Sequence, residues 1–409
     1  DASSLFPKDE QWAYFPAAAF AWRAKDESFL RESKVVNDLK FRVGYGITGQ
    51  SDITNAAGYY PSSPYFSPGN ANSQYLPGIS TYTALPFNDK LKWEQTTTYN
   101  AGVDFSFFTK DLISGSVDVY RRFTRDLLAT VPVPPGQALS NELIQNIGKM
   151  RNQGVEVNLI VKPIQTDDFY WEVGGNISYN YGTIQSLDRG DNVLAGVGLP
   201  VSTGLRPMRH KVGEQPSSFW LYEQLYDPQG NIIPGAFKDR NGDGALNDSD
   251  RYYRAMAPNW TFGLNTNFSY RRWDLAATFH GQLDGEVYNA IKLQGGWVNR
   301  ALPNNTNSLS NVLNFYEGAA DSRIVTIQDP VPLSDYYVEN AAFLRCDNIT
   351  VGYKIPEVAK NCSLRLFVGV NNAFLISTYS GQDPETFGGV DYNLYPRPRM
   401  YNFGLNLDF

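Results

Sequence analysis

No run of apolar residues in this chain approaches the ~20 that a membrane-spanning helix needs, and mean hydropathy is -0.37. A helical membrane protein is therefore excluded. Helical periodicity of any useful length is also missing. Cysteine is scarce. Cys346 and Cys362 each lie in or beside a strand-like run, without metal-ligand spacing. A disulfide framework is not expected, and two buried or lumenal thiols are the simplest reading. Histidine is limited to His210 and His280, which leaves little room for histidine-based catalysis. Positive charge is in deficit: the net charge is -7 and the pI about 5.1, which argues against nucleic acid as a partner. The sequence opens at Asp1 with no methionine, signal peptide or lipobox. It reads as a mature chain or as a fragment.

Aromatic residues, by contrast, are abundant at 14%, with 26 Tyr, 24 Phe and 8 Trp. The final residues, Tyr401 to Phe409, put Tyr401, Phe403, Leu405, Leu407 and Phe409 on one face of a strand and Asn402, Gly404, Asn406 and Asp408 on the other. The same period of two recurs at 113–123, 155–161, 171–181, 262–270 and 364–370. The polar faces carry Asn, Ser, Gly and Glu, which suits a hydrated lumen better than the dry interior of a sandwich. Lipid-facing strands escape hydropathy analysis because half their residues face that lumen. The fold class expected is all-β: a transmembrane antiparallel β-barrel with long outer loops. A soluble β-sandwich ending on the same strand is the plainer alternative.

Connections alternate in length. Short ones fall at 107–111, 165–168 and 270–274, and long ones near 50–90, 131–148, 183–216, 286–340 and 375–397. Outer-membrane barrels have short periplasmic turns and long outer loops. The terminal strand should thus run from outside to periplasm. Counting back places strands near 396–409, 362–374, 341–354, 273–285, 259–272, 168–182, 149–163, 111–128, 91–107, 38–49 and 12–24. That odd number, about eleven, cannot close as the usual even-stranded antiparallel barrel, so strands before Asp1 are expected. Residues 217–257 fit no barrel strand and read as an elaborated outer region, strand-like at 217–226.

Several stretches resemble one family. Leu39-Lys-Phe-Arg-Val-Gly-Tyr-Gly-Ile-Thr-Gly-Gln50 is similar to the "LKLRxSYGxTGN" strand of SusC-like TonB-dependent transporters. Leu91-Lys-Trp-Glu-Gln-Thr-Thr-Thr-Tyr-Asn-Ala-Gly-Val-Asp-Phe105 is similar to its "LKWExTxxxNxGxDF". Further similar stretches lie at 131–136, 146–156, 212–220, 337–345, 347–353, 379–385 and 395–399, so the resemblance spans residue 11 to Phe409. It implies a barrel of about 22 strands with an N-terminal plug that TonB pulls. It also implies a SusD-like surface lipoprotein as lid, and pairing of two such complexes. The chain would be one domain over 1–409, the C-terminal half of the barrel, without the plug and early strands. Import of oligosaccharides or oligopeptides is the implied function.

The sharpest local motif is Asp239-Arg-Asn-Gly-Asp-Gly-Ala-Leu-Asn-Asp-Ser-Asp250. It matches the EF-hand calcium loop, with Asp239, Asn241, Asp243, Ala245 (by its carbonyl), Asn247 and Asp250 as ligands and Gly244 at the sharp turn. Asp250 is shorter than the usual Glu, and no amphipathic helix flanks the loop. A structural calcium ion is expected; the alternative is a metal-free Asx-rich turn. Outer-loop aromatics Tyr59, Tyr60, Tyr65, Phe66, Tyr75, Tyr379, Phe387, Tyr392 and Tyr395 are candidates for ligand or lid contact. Packing of the loops on one another competes with that reading. Trp22, Trp93, Trp171 and Trp273 lie near strand ends, as girdle residues or as core. Acid pairs such as Asp167-Asp168 read as solvated turn residues, and nothing in the sequence points to an enzyme. Two rivals to the transporter are a secreted, calcium-stabilised all-β binding or adhesion module and an outer-membrane hydrolase barrel. The latter would need a catalytic dyad in the lumen.

Overall fold

The computed structural model describes residues 1–54, 58–68, 74–76, 79–80, 82–132, 142–188, 192–199, 205–295, 331–359, 362–392 and 395–409. Its main feature is one sheet of eleven strands in strict chain order. They are Ala17–Arg23, Val36–Gln50, Glu94–Phe107, Ile113–Pro132, Glu142–Gln165, Phe169–Leu187, Trp260–Tyr270, Trp273–Gln282, Phe343–Ala359, Cys362–Ser377 and Met400–Asp408. Every neighbouring pair is antiparallel.

All eleven expected strands are present, with shifts that have local causes. The first begins at Ala17 rather than near residue 12. Residues before it leave the sheet so that Phe6, Ala13 and Phe15 can pack on Trp93, whose indole donates to the Gln11 carbonyl at 3.3 Å. The last begins at Met400 rather than 396. Pro396 and Pro398 have no N–H to give to a ladder. A short helix, Ala290–Gly295, sits where the sequence shows no helical period.

Register turns the sequence alternation into two continuous surfaces. From Leu405 the pairing runs across the sheet through Leu366, Tyr353, Trp273, Tyr270 and Phe169. From Phe403 it runs through Val368, Val351, Leu275 and Phe268 to Trp171. At the other side, Val119, Ala101, Val43 and Phe20 continue the same face. Those side chains are open to the surroundings rather than packed in a core: Phe403 is 77% exposed, Leu405 65%, Phe20 68%. Such a wide apolar face has no place in water.

Aromatic rings border this belt at both edges. One edge carries Trp22 on Phe41, Phe105 on Phe107, Phe169 on Phe268 and Trp273 on Tyr353. The other carries Tyr45, Tyr99 and Phe123, then Tyr179 on Trp260. Trp22 and Trp273 are therefore girdle residues, and Trp171 lies on the same apolar face in the row of Phe403. Trp93, only 4% exposed, is core instead.

The first edge is also the rim of short turns. There Phe108, Lys110, Asp111 and Arg271 adopt positive φ to reverse the chain. The opposite rim carries the long connections. Two strands of 20 and 24 residues, Ile113–Pro132 and Glu142–Gln165, rise well beyond the ~9–11 residues that cross a bilayer.

Candidate functional site

The face opposite the belt is polar and built for water. Near the short-turn rim, Arg42 holds Asp104 through two nitrogens at 2.8 and 2.7 Å and reaches Asp118 at 2.9 Å. Arg365 pairs with Asp274 across three strands, and Arg23 with Asp38 at 2.8 Å. Glycine makes room for these pairs. A Cβ at Gly102 would strike Asp118 and Arg42, and one at Gly352 would strike Asp274 and Arg365. The guanidinium groups thus lie close over the wall, in the room these glycines leave. Further up, the wall is lined by hydroxyls and amides, such as Tyr120 to Asn180 at 2.8 Å and Asn348 to Asn371 at 2.6 Å.

Above the sheet, the long connections fold into a packed outer unit, which sequence reading had only begun to see at 217–257. It recruits residues from 195 to 390. Its core joins Met208, Phe219, Leu221, Tyr222, Tyr288, Leu333 and Tyr337, all buried. Several of its polar groups are closed internally. Gln224 donates to the carbonyls of Leu225, Ile233 and Ala236, and Tyr288 donates to Pro332 at 2.6 Å. Tyr252 donates to Asp335 at 2.6 Å; burial, then that carboxylate, raises its ionisation above the ordinary tyrosine range. His210 accepts the Ser217 amide at Nδ1, and burial lowers its pKa. Glu223 is held below the usual carboxylate range by Lys238 first and Arg240 second. The strand-like stretch 217–226 contains the strand Ser218–Leu221, and its run Phe219-Trp-Leu-Tyr222 puts Phe219, Leu221 and Tyr222 in this core; what the sequence did not show is that residues as distant as Ala195 and Val390 join them.

The 239–250 loop is an ordered turn between two short strands, Ile232–Phe237 and Tyr252–Arg254. Asp239 accepts the amides of Gly242 and Gly244 at 2.6 and 2.8 Å. Asp243 accepts Ala245 N–H and the Asn241 side chain, at 2.8 and 2.9 Å. Asp250 is fully buried and accepts from Arg240 and Asn247. The Asn247 amide, the largest cause, holds its carboxyl below the ordinary range. Gly244 sits at φ +79, the turn its position demands. All six candidate ligands share one loop, but the Ala245 carbonyl and the carboxylates are engaged with the loop's own donors. Among the described residues no three of His, Cys, Asp and Glu converge in metal-binding geometry.

The aromatic candidates fall into two separate groups. Tyr59, Tyr60 and Phe66 are exposed at 77%, 63% and 64%, and Tyr60 lies 5.7 Å from Tyr65. Tyr379 is turned inward and donates to buried Asp391 at 2.7 Å. Tyr392 is partly exposed and donates to the Gly198 carbonyl. Tyr395 is exposed. The side chains of Tyr75 and Phe387 lie outside the described residues. Cys346 is buried and Cys362 half-buried, both as free thiols.

A sheet with one apolar, aromatic-bordered face and one polar, ion-paired face is the wall of a transmembrane β-barrel. The family described as "TonB dependent receptor-like, beta-barrel" matches this chain over residues 1–373, and the chain belongs to that family. It is an outer-membrane family of transporters. The chain is 38% identical to the TonB-dependent receptor SusC of Bacteroides thetaiotaomicron, covering 100% of this chain and 41% of that protein. It is 28% identical to the TonB-dependent receptor P3 of Formosa agariphila, covering 100% and 43%. Among solved structures it is similar to the RagAB peptide transporter, with TM-score 0.79 and 23% identity, over 99% of this chain and 44% of that one. The chain thus spans less than half the length of the curated relatives it matches.

Proposed function

We propose that this chain supplies the wall and outer loops of a TonB-dependent importer of oligosaccharides or oligopeptides. One observation carries the reading: register gives the sheet a continuous apolar face and an opposite polar, ion-paired face, the two surfaces a solute path through lipid needs. Further strands pair with the edges Ala17–Arg23 and Met400–Asp408, and a plug inside the barrel couples it to TonB. A SusD-like lipoprotein closes the outer rim, where Tyr59, Tyr60 and Phe66 present open rings to lid or cargo. Complexes of this kind pair as dimers. The wall binds and guides; it carries out no reaction.

The test is uptake. A strain lacking the intact gene is grown on defined oligosaccharides or oligopeptides, with and without complementation and with TonB disabled. Loss of growth on one of these, restored only when TonB works, supports the reading. Undiminished uptake of every such cargo overturns it.

The 239–250 loop we read as a structural calcium site in the outer unit, on the support of its ligand spacing and the φ of Gly244. Binding would require its carboxylates to exchange amide partners for the ion. Terbium luminescence on the intact protein, abolished in Asp239→Ala, is the expected result. No luminescence in the wild type would leave the loop a metal-free turn.

A further inference from the structure

The terminal strand stops short of its neighbour. Met400 pairs with Asn371, while the neighbouring strand continues to Ser377. The step leaves a notch of roughly 170 Å³ at the rim of long connections, lined by Arg345, Asn372, Phe374, Asp383, Arg397 and Arg399. It is smaller than the ~300–1,000 Å³ of a pocket that engulfs a whole ligand, and suits a single head group.

The notch carries unbalanced positive charge. Arg345 is 3% exposed and donates to Asp383 at 2.6 Å and to Asn372 at 2.9 Å. Its Nε has no hydrogen-bond partner; Glu385 stands 3.4 Å away, outside bonding geometry. Arg397 reaches Glu385 at 2.6 Å and Asp383 at 3.5 Å. Glu385 also stands 3.4 Å from Nε2 of His280, whose Nδ1 meets Asp347 at 2.7 Å. Asp383 and Glu385 thus serve two of the three guanidiniums that line the notch, those of Arg345 and Arg397. Among the described residues Arg399 has no carboxylate; its Nε has only the Asn372 carbonyl, at 3.4 Å.

Position adds the second argument. Tyr401, two residues after Arg399, begins the apolar belt of the terminal strand. Phe374 and Ile376, beside the notch, are exposed at 37% and 60%. The notch thus opens where hydrocarbon gives way to head groups, where arginine meets phosphate in bidentate geometry.

We propose that this notch binds the phosphate group of an anionic ligand, with Arg399 and Arg397 as contacts and Arg345 fixing the wall behind them. Its level at the belt's edge favours a lipid phosphate; free phosphate has the same chemistry. The proposal does not depend on what the barrel transports.

The test uses the intact protein in non-ionic detergent. Binding of phosphorylated lipid A, dephosphorylated lipid A and inorganic phosphate is measured for wild type, Arg399→Ala and Arg399→Lys. Heat-modifiable gel mobility reports folding. Arg272→Ala, at the opposite rim, serves as control. Arg399→Ala should bind the phosphorylated probe about ten- to a hundredfold more weakly, as expected for losing a hydrogen bond to a charged group, with mobility unchanged. Arg399→Lys should fall between. A response confined to phosphorylated lipid assigns a head group, and an equal response to inorganic phosphate assigns the free ion; either upholds the site. Equal binding by wild type and Arg399→Ala, equal binding of the two lipids without a response to phosphate, or no binding of any probe overturns it.

Discussion

Replacing Phe403 by arginine separates a lipid-facing strand from a water-exposed one. Phe403 is 77% exposed, near the middle of the terminal strand, opposite Val368 on the apolar face. In water, such a surface change costs within about 0.5 kcal/mol either way. In a bilayer, arginine near the midplane of a barrel's lipid face costs about 2–4 kcal/mol. That is about thirtyfold to a thousandfold in the folding equilibrium. Asn402, the adjacent residue, faces the polar side opposite Gly369, so Asn402→Arg should stay within about 0.5 kcal/mol. The assay is equilibrium unfolding of the intact protein in lipid vesicles, read by heat-modifiable mobility. The expected result is a gap of about 2 kcal/mol or more between the neighbouring substitutions. Equal costs for the two would refute the assignment of faces.

Three further outcomes follow from the same geometry. Arg42→Met leaves Asp104 and Asp118 facing each other without their shared cation, and should lower stability by about 1–3 kcal/mol, less in high salt; unchanged unfolding midpoints would remove these pairs from the account. The outer unit should weaken in acid. Burial lowers the pKa of His210, so the unfolded chain takes up that proton first, and stability present above about pH 6.5 is lost as pH falls below it; carboxylates held low, such as Glu223, add a loss below their unfolded value near 4.5. His210→Asn, whose amide oxygen can accept the Ser217 N–H, should abolish the upper step in hydrogen exchange of residues 208–221, and a persisting step would assign it elsewhere. Tyr379→Phe removes a donor from buried Asp391 and should destabilise the outer unit by about 1–3 kcal/mol, whereas a loss of cargo affinity at full stability would point to a ligand role for this ring.

The barrel was legible because a half-lipid, half-water strand writes its environment in every second residue. That pattern showed at 113–123, 155–161, 171–181, 262–270, 364–370 and 401–409, and counting back along the unequal connections placed the remaining strands and the two rims. Boundaries failed where a tertiary contact outweighed the pattern, as when Phe15 left the sheet for Trp93. The outer unit was mostly illegible. Most of its strands are two to four residues long, such as Ser218–Leu221 and Tyr252–Arg254, too short for a period to show. Its core also joins residues as far apart in sequence as Ala195 and Val390. Tyr379 and Tyr60 look alike as loop aromatics; only packing reveals that one is buried and the other open. The notch at Arg399 was hidden for a related reason, since it arises from unequal strand ends rather than from any motif.

The central claim is that this sheet is a membrane wall with lipid on one face and water on the other. Site-directed spin labels at residues 401–408 of the intact protein, with Cys346 and Cys362 replaced by serine, test it most directly. Oxygen collision rates should peak at 401, 403, 405 and 407, and those of a water-soluble nickel complex at 402, 404, 406 and 408. Equal access of the nickel complex to all eight positions would contradict the account.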